Sequence, residues 1–206
     1  MKTQIIDISM VLSNDTLIYP GDPKVETKKI KIMGRDGVNL SKITMGLHSG
    51  THVDAPAHFL KEGKTIDEMN LRVLVGKARV CDLTKVKELI TEKELKKCGI
   101  KKDEIILLKT SNSRLSTKKF SEKFISLSLD GADYLIKNKI KAVGIDYLSI
   151  ETAGSSVVHK KLLTKNIPII EDLVLKNVKP GVYQIVCMPL KIKGGEAAPA
   201  RCILSK

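Results

Sequence analysis

Three of the chain's four histidines fall within one short run, His48-Ser-Gly-Thr-His52-Val-Asp54-Ala-Pro-Ala-His58. No regular element turns that run into a cluster. On a helix His48 and His52 share a face, but Asp54 lies about 200° further round. Gly50 and Pro56 also oppose a helix. On a strand, positions 48, 52, 54 and 58 share one face. A straight strand, however, holds His48 and His52 ~13 Å apart, too far to share one ion. A strand that bends at Ser49-Gly50 meets both demands, because glycine adopts backbone angles that other residues avoid and Pro56 stiffens the exit. The run therefore predicts a strand end and loop on which His48, His52 and Asp54 converge.

Imidazole is a common metal ligand and the commonest acid–base group near neutral pH. Two histidines and a carboxylate leave coordination positions open, as catalytic rather than structural metal sites do. Asp54 has two oxygens and could bridge two ions. The fourth histidine, His159, is followed by Glu171 within Ile167-Pro-Ile-Ile-Glu171-Asp-Leu. These two would supply the second ion, and a pair of ions can share and acidify one water. Glu171 ends an apolar run, which favours a site over an ordinary surface carboxylate. From the residues alone His58 is open between a third ligand, a packed loop residue and an acid–base group. Asp146, at the end of Ala-Val-Gly-Ile-Asp, either orients a ligand or closes a turn. Tyr19 either lines a pocket or packs beside its prolines.

The 206 residues fit one domain, 1–206. Aromatics make up 3% of the chain and Trp is absent, so the core rests on Ile, Leu and Val. The formal charge of +13 raises the question of nucleic acid. The lysines are spread along the chain, and the densest groups (Lys28 to Lys31, Lys96 to Lys102, Lys118–Lys119, Lys137 to Lys141) lack aromatics for base stacking. We read them as a solvated surface that favours an anionic small substrate, with no nucleic-acid partner. Cys81, Cys98, Cys187 and Cys202 show no paired ligand spacing and read as reduced, mostly buried thiols. With no apolar leader and no membrane-length run, the expectation is a cytoplasmic protein without a membrane partner.

Strands are expected over residues 3–9, 40–47, 74–83, 104–109, 141–146, 182–192 and 200–204. A turn is expected at Tyr19–Pro23, where Pro-Gly and Asp-Pro punctuate the chain. Helices are expected at 91–98, with Thr91 and Glu94 as a capping box and Gly99 at its end, at 130–138 with Asp130 as cap, and at 157–164 carrying His159. Many strands with short helices between them describe an α/β or α+β domain with a substantial sheet.

The His48–Phe59 run resembles the HxGTHxDxPxH signature of the cyclase family of metal-dependent hydrolases, which includes bacterial kynurenine formamidase and isatin hydrolase. Weaker matches follow in order: Asp7-Ile-Ser, Tyr19-Pro-Gly-Asp22, Gly63-Lys-Thr-Ile66, Val143-Gly-Ile-Asp146 with Ser149, Ile167 to Leu173, and Pro189 to Arg201. The resemblance implies an α/β fold of the swivelling β/β/α type, with a mostly β core and short flanking helices. It also implies a homo-oligomer, dimer or tetramer, acting on a small molecule. By the family pattern His48, His52 and Asp54 hold one ion, Asp54, His159 and Glu171 a second, and His58 is the acid–base residue. Two Zn²⁺ per subunit are expected, with Mn²⁺ as the alternative. The implied activity is hydrolysis of N-formylkynurenine to kynurenine and formate by metal-activated water. The alternatives are a cyclic amide, imide or lactone substrate, or a non-catalytic binding role. The chain departs from the pattern at Thr110-Ser-Asn112, where relatives often carry an aromatic, and at Glu196-Ala-Ala, where a glycine is common.

Overall fold

The structure, a computed structural model, describes residues 4–115 and 119–206. Thr3, at the head of the first expected strand, and Lys118 lie outside these residues. Among the described residues twelve strands run in chain order: β1 Ile5–Asp7, β2 Glu26–Lys31, β3 Leu40–Thr44, β4 His52–Asp54, β5 Val75–Asp82, β6 Leu89–Ile90, β7 Ile105–Lys109, β8 Ser126–Leu127, β9 Ala142–Ile145, β10 Ile169–Glu171, β11 Gly181–Pro189 and β12 Ala197–Ser205. The helices are α1 Met33–Asp36, α2 Glu92–Lys96, α3 Leu129–Lys137 and α4 Val157–Thr164.

Seven strands close into a barrel in the order β12-β11-β5-β7-β9-β10-β4, and β4 returns to pair with β12. The run β5-β7-β9-β10 is parallel. Each parallel step needs a crossover, and α2, α3 and α4 supply the three in turn. The remaining pairs are antiparallel. β1 lies on the far end of the β12 edge that β4 occupies, with Ile5 opposite Ser205.

β7 shows how the sequence divides the core. Ile105 and Leu107 face the barrel interior with Val53, Val80, Ile170 and Ile185. Ile106 and Leu108 face outward against Leu95, Leu135 and Leu162 of the three helices. A strand buried on both faces has no polar positions to alternate, which is why 104–109 reads as a continuous apolar run. The fold class is the expected one: mixed α/β, mostly β at its centre, with short helices around it.

Most elements lie within a residue or two of expectation, and the differences have local causes. α3 is capped by Ser128, whose hydroxyl accepts from the Gly131 amide, so Asp130 sits inside the first turn instead of capping it. β3 stops at Thr44, short of residue 47, because the chain turns at 47–50 toward β4. Its partner β2 had no sequence signal: every residue of both strands is exposed, so neither needs the alternation of a buried face. β12 starts at Ala197, not Ala200, and Pro199 within it hides the first three residues. The turn at Pro20-Gly21 and the Thr91–Glu94 capping box are as expected.

Gly63 ties this frame to the histidine run. A Cβ there would stand 2.4 Å from the Pro56 carbonyl carbon and 2.6 Å from the Ala57 nitrogen. These are backbone atoms of the 3₁₀ turn Pro56–His58 and cannot swing aside. Overpacking of this kind costs about 1–3 kcal/mol. We expect Gly63→Ala to lose stability of that order in denaturant titration; an unchanged midpoint and slope would show that the turn yields freely.

Candidate metal centre

The bend in the run is made at Gly50, which has φ +60° and passes so close to Leu12 that a Cβ would lie 2.7 Å from its Cδ2. Beyond it β4 places His52 and Asp54 two residues apart on one face. β10 runs antiparallel alongside, with Glu171 opposite His52. α4 brings His159 in from outside the barrel. His48 Nδ1 lies 2.9 Å from Asp54 Oδ1, and His52 Nε2 lies 3.4 Å from the same oxygen. His52 Nε2 is also 3.5 Å from Glu171 Oε2. His159 Nε2 is 3.2 Å from Glu171 Oε1 and 3.8 Å from Asp54 Oδ2. The His58 ring centroid is 4.1 Å from that of His48.

All six cluster residues expected from the sequence therefore meet. Among the described residues two groups have ligand atoms close enough to hold an ion: His48, Asp54 and His58, and His52, Asp54 and Glu171. Asp54 belongs to both, consistent with a bridge. The division differs from the family pattern in pairing His48 with His58 and His52 with Glu171.

Each buried imidazole is oriented from behind. His52 Nδ1–H donates to the Gly50 carbonyl at 2.7 Å, so the bend that positions the ring also sets its tautomer. His159 Nδ1–H donates to Glu151 Oε2 at 2.7 Å. Both rings consequently turn Nε2 toward the two carboxylates. Glu151 also accepts from the Val158 and His159 amides, each at 3.0 Å, and from the Ser155 hydroxyl. It thereby caps α4 and holds the helix's histidine at once. Sequence reading missed Glu151; a carboxylate ending the run Tyr-Leu-Ser-Ile, eight residues before His159, was the available signal. Glu196 was also missed, and its Oε1 lies 3.7 Å from His48 Nε2.

The electrostatics call for positive charge. Burial opposes the Asp54 carboxylate, yet the imidazoles of His48 and His52 hold it well below the usual range. Burial likewise opposes a charged His52, but Asp54 and Glu171 push it well above its ordinary value. His159 is raised to about 10 by Glu151 and Glu171 against its burial. His58 moves the other way, lowered chiefly by burial. Among the described residues, His52 Nε2 and both Asp54 oxygens are buried without a hydrogen bond. Such atoms are costly unless something partners them. A divalent cation is the partner that this set of imidazole nitrogens and carboxylate oxygens fits.

Two other candidates lie elsewhere. Asp146 takes the closed-turn reading: it accepts from the Thr110 amide and hydroxyl and from the Ser113 hydroxyl, stitching the end of β9 to the end of β7. Tyr19 packs 5.1 Å from Phe120, and its oxygen accepts from the Gly154 amide at 3.4 Å. Among the described residues it makes no hydrogen bond or ring pairing with the six cluster side chains. Asn112, at the departure from the family pattern, is used up by a two-way clamp on the Ile125 backbone.

Comparison with known proteins places the chain in a family. The Cyclase family profile ("Putative cyclase") matches residues 6–152. The chain belongs to the cyclase family. A kynurenine formamidase of Bacillus thuringiensis (strain Al Hakam) is 35% identical over 99% of both chains, and that of Bacillus anthracis is 34% identical over the same share. A predicted metal-dependent hydrolase from Bacillus stearothermophilus superposes with a TM-score of 0.87 at 35% identity, covering 100% of this chain and 99% of its own. An isatin hydrolase bound to the product analogue thioisatinate shares the fold at TM-score 0.89 and 22% identity, over 99% and 92% of the two chains.

The raised histidine has a consequence for the metal-free protein. A histidine whose folded pKa is about 10, against 6.5 unfolded, stabilises fully below pH 6.5 and loses that contribution as pH rises through 10. We expect the Tm of metal-free protein to fall across this window and that of metal-loaded protein to stay flatter. Parallel curves in differential scanning calorimetry would contradict this.

Proposed function

We propose that this cyclase-family chain is a metal-dependent amide hydrolase that cleaves N-formylkynurenine to kynurenine and formate. The observation that carries the proposal is the enclosed set of unpartnered ligand atoms on His52 and Asp54, with His48, His159 and Glu171 around them. The similarity to kynurenine formamidases over nearly the whole chain supplies the substrate. His48, His52, Asp54, His159 and Glu171 would hold the metal, Asp54 bridging two ions; zinc is our first choice and manganese our second. When bound, a divalent ion acidifies water and polarises a carbonyl oxygen.

The chain's own groups handle the proton. His58 has its pKa lowered chiefly by burial, so it is neutral at pH 7 and ready to accept one. It can take the proton of the attacking water and deliver it to the departing nitrogen. Its ring is half-buried, and Phe59 lies 4.2 Å from it, 5.0 Å from His159. Phe59 thus offers an aromatic face for an aryl substrate in a chain without Trp. We keep Tyr19 as a proposed substrate contact, because it braces the loop that leads from Glu151 to His159. His48 and His58, both near Asp54, are separated in role by metal content: His48→Ala should lose ions, and His58→Ala should not.

We further propose a homodimer. Its support is the β2–α1–β3 arm, which exposes Ile30, Ile32, Met33, Val38, Leu40 and Ile43 together. Four free thiols favour the cytoplasm and a place in tryptophan catabolism follows from the substrate. No helix among the described residues is long and apolar enough to cross a membrane.

Exhaustive chelation should abolish formamide hydrolysis, and Zn²⁺ or Mn²⁺ should restore it. Turnover by demonstrably metal-free protein would end the proposal. His58→Ala should keep its metal and fold while kcat falls about 10²–10⁴-fold. In a substrate panel N-formylkynurenine should outrun isatin and simple lactams; a faster lactam would move the assignment to cyclic-amide hydrolysis.

A further inference from the structure

A cavity of about 150 Å³ lies at the carboxyl ends of the parallel strands β7, β9 and β10. None of the six cluster residues lines it. Its walls are mostly apolar, with Met10, Leu17, Leu115, Leu148, Leu173 and Leu175 contributing. Two carboxylates also reach it, and they differ sharply. Asp146 is fully engaged by Thr110 and Ser113. Asp172 is buried at 8% exposure, and among the described residues its Oδ2 has no hydrogen-bond partner.

The Asp172 carboxylate is positioned by its backbone. Asp172 has φ +54°, a left-handed conformation rare for residues other than glycine, asparagine and aspartate. Its amide donates to the Tyr147 carbonyl at 2.9 Å, and its carbonyl accepts from the Thr51 hydroxyl. Lys176, the cation on the cavity wall, is exposed and makes no ion pair with it among the described residues. An unpaired buried carboxylate is destabilising, and an apolar cavity with one directed polar group is the usual form of a small-molecule site. The carboxyl ends of parallel strands are where open α/β sheets bind ligands.

We propose that this cavity binds a small organic ammonium ion, with the cationic head on Asp172 and the alkyl body against the leucine wall. One free carboxylate in an apolar enclosure offers too few oxygens for calcium or magnesium, which take about six or more. The volume suits a compact body, since an apolar cavity of about 150 Å³ accommodates benzene. The cavity adjoins the metal centre through Glu171-Asp172 but is lined by none of the six cluster residues, and the proposal does not depend on the proposed activity.

The test is an NMR titration of the metal-loaded protein at pH 8 with isopentylammonium chloride, and with isopentanol as the uncharged counterpart. The ammonium ion should give saturable shifts centred on Tyr147 and Leu173–Leu175, and should bind about tenfold or more tightly than the alcohol. Asp172→Asn keeps the side chain's size and tolerates the positive φ. It should weaken ammonium binding by about tenfold or more and raise Tm, because it removes an unpaired charge. Equal binding of amine and alcohol overturns the proposal, as does unchanged binding by the variant. So do shifts centred on His48–His58, or no saturable shift at millimolar amine, which would leave the cavity to water. The amine–alcohol comparison uses the natural chain alone, so the proposal stays testable even if the variant does not fold.

Discussion

Asp54 carries a carboxylate at 0% exposure, in the one strand that closes the barrel. Its residue pairs with Ile169 of β10 on one side and Ala197 of β12 on the other. Closure therefore buries the charge, and among the described residues only imidazole nitrogens of the cluster approach its oxygens, without a hydrogen bond of good geometry. A charge so placed must be neutralised locally or the strand cannot stay where it is. The imidazoles of His48, His52 and His159, with Glu171 among them, are arranged around that requirement. Protons on His52 and His159 can meet it in the metal-free protein, and divalent cations can meet it with the same atoms.

The cluster is assembled from elements that the fold makes rigid. His52 and Asp54 share a face of β4, and Glu171 comes from the neighbouring strand in fixed register. His159 is the exception, since it stands on a helix outside the barrel. Glu151 answers that problem by caping both the helix start and the ring with one buried carboxylate. Partners behind a ligand histidine fix its tautomer and raise its basicity. His52 obtains the same service from the Gly50 carbonyl, at no cost in additional charge. His58 lacks such an anchor among the described residues, sits on a 3₁₀ turn, and keeps a lowered pKa. That difference underlies the proposal that His58 carries a proton while the anchored groups hold a cation.

Much of this was readable in the residues. The parity of 48, 52, 54 and 58, with glycine at the bend, required convergence before any coordinates. The buried parallel strands announced themselves as apolar runs, because both faces are covered. In the exposed arm β3 was read but its partner β2 was not, because a fully exposed strand carries no hydrophobic period. Glu151 escaped for a different reason. Its importance lies in what it touches eight residues later, and a single carboxylate has no spacing of its own. The grouping of His58 with His48, rather than apart from the ligands, depends on how a short turn folds back, which sequence parity does not specify. For Tyr19 the Pro-Gly setting marks the turn and says little about what the ring faces.

The central claim is that the buried Asp54 carboxylate is the shared ligand on which the metal centre is built. Metal content by mass spectrometry of inductively coupled plasma, measured on natural protein and Asp54→Ala at equal folded concentration, tests it most directly. The account predicts loss of both ions in Asp54→Ala, while Glu171→Ala or His159→Ala chiefly loses one. Equal metal content in Asp54→Ala and the natural chain would contradict it.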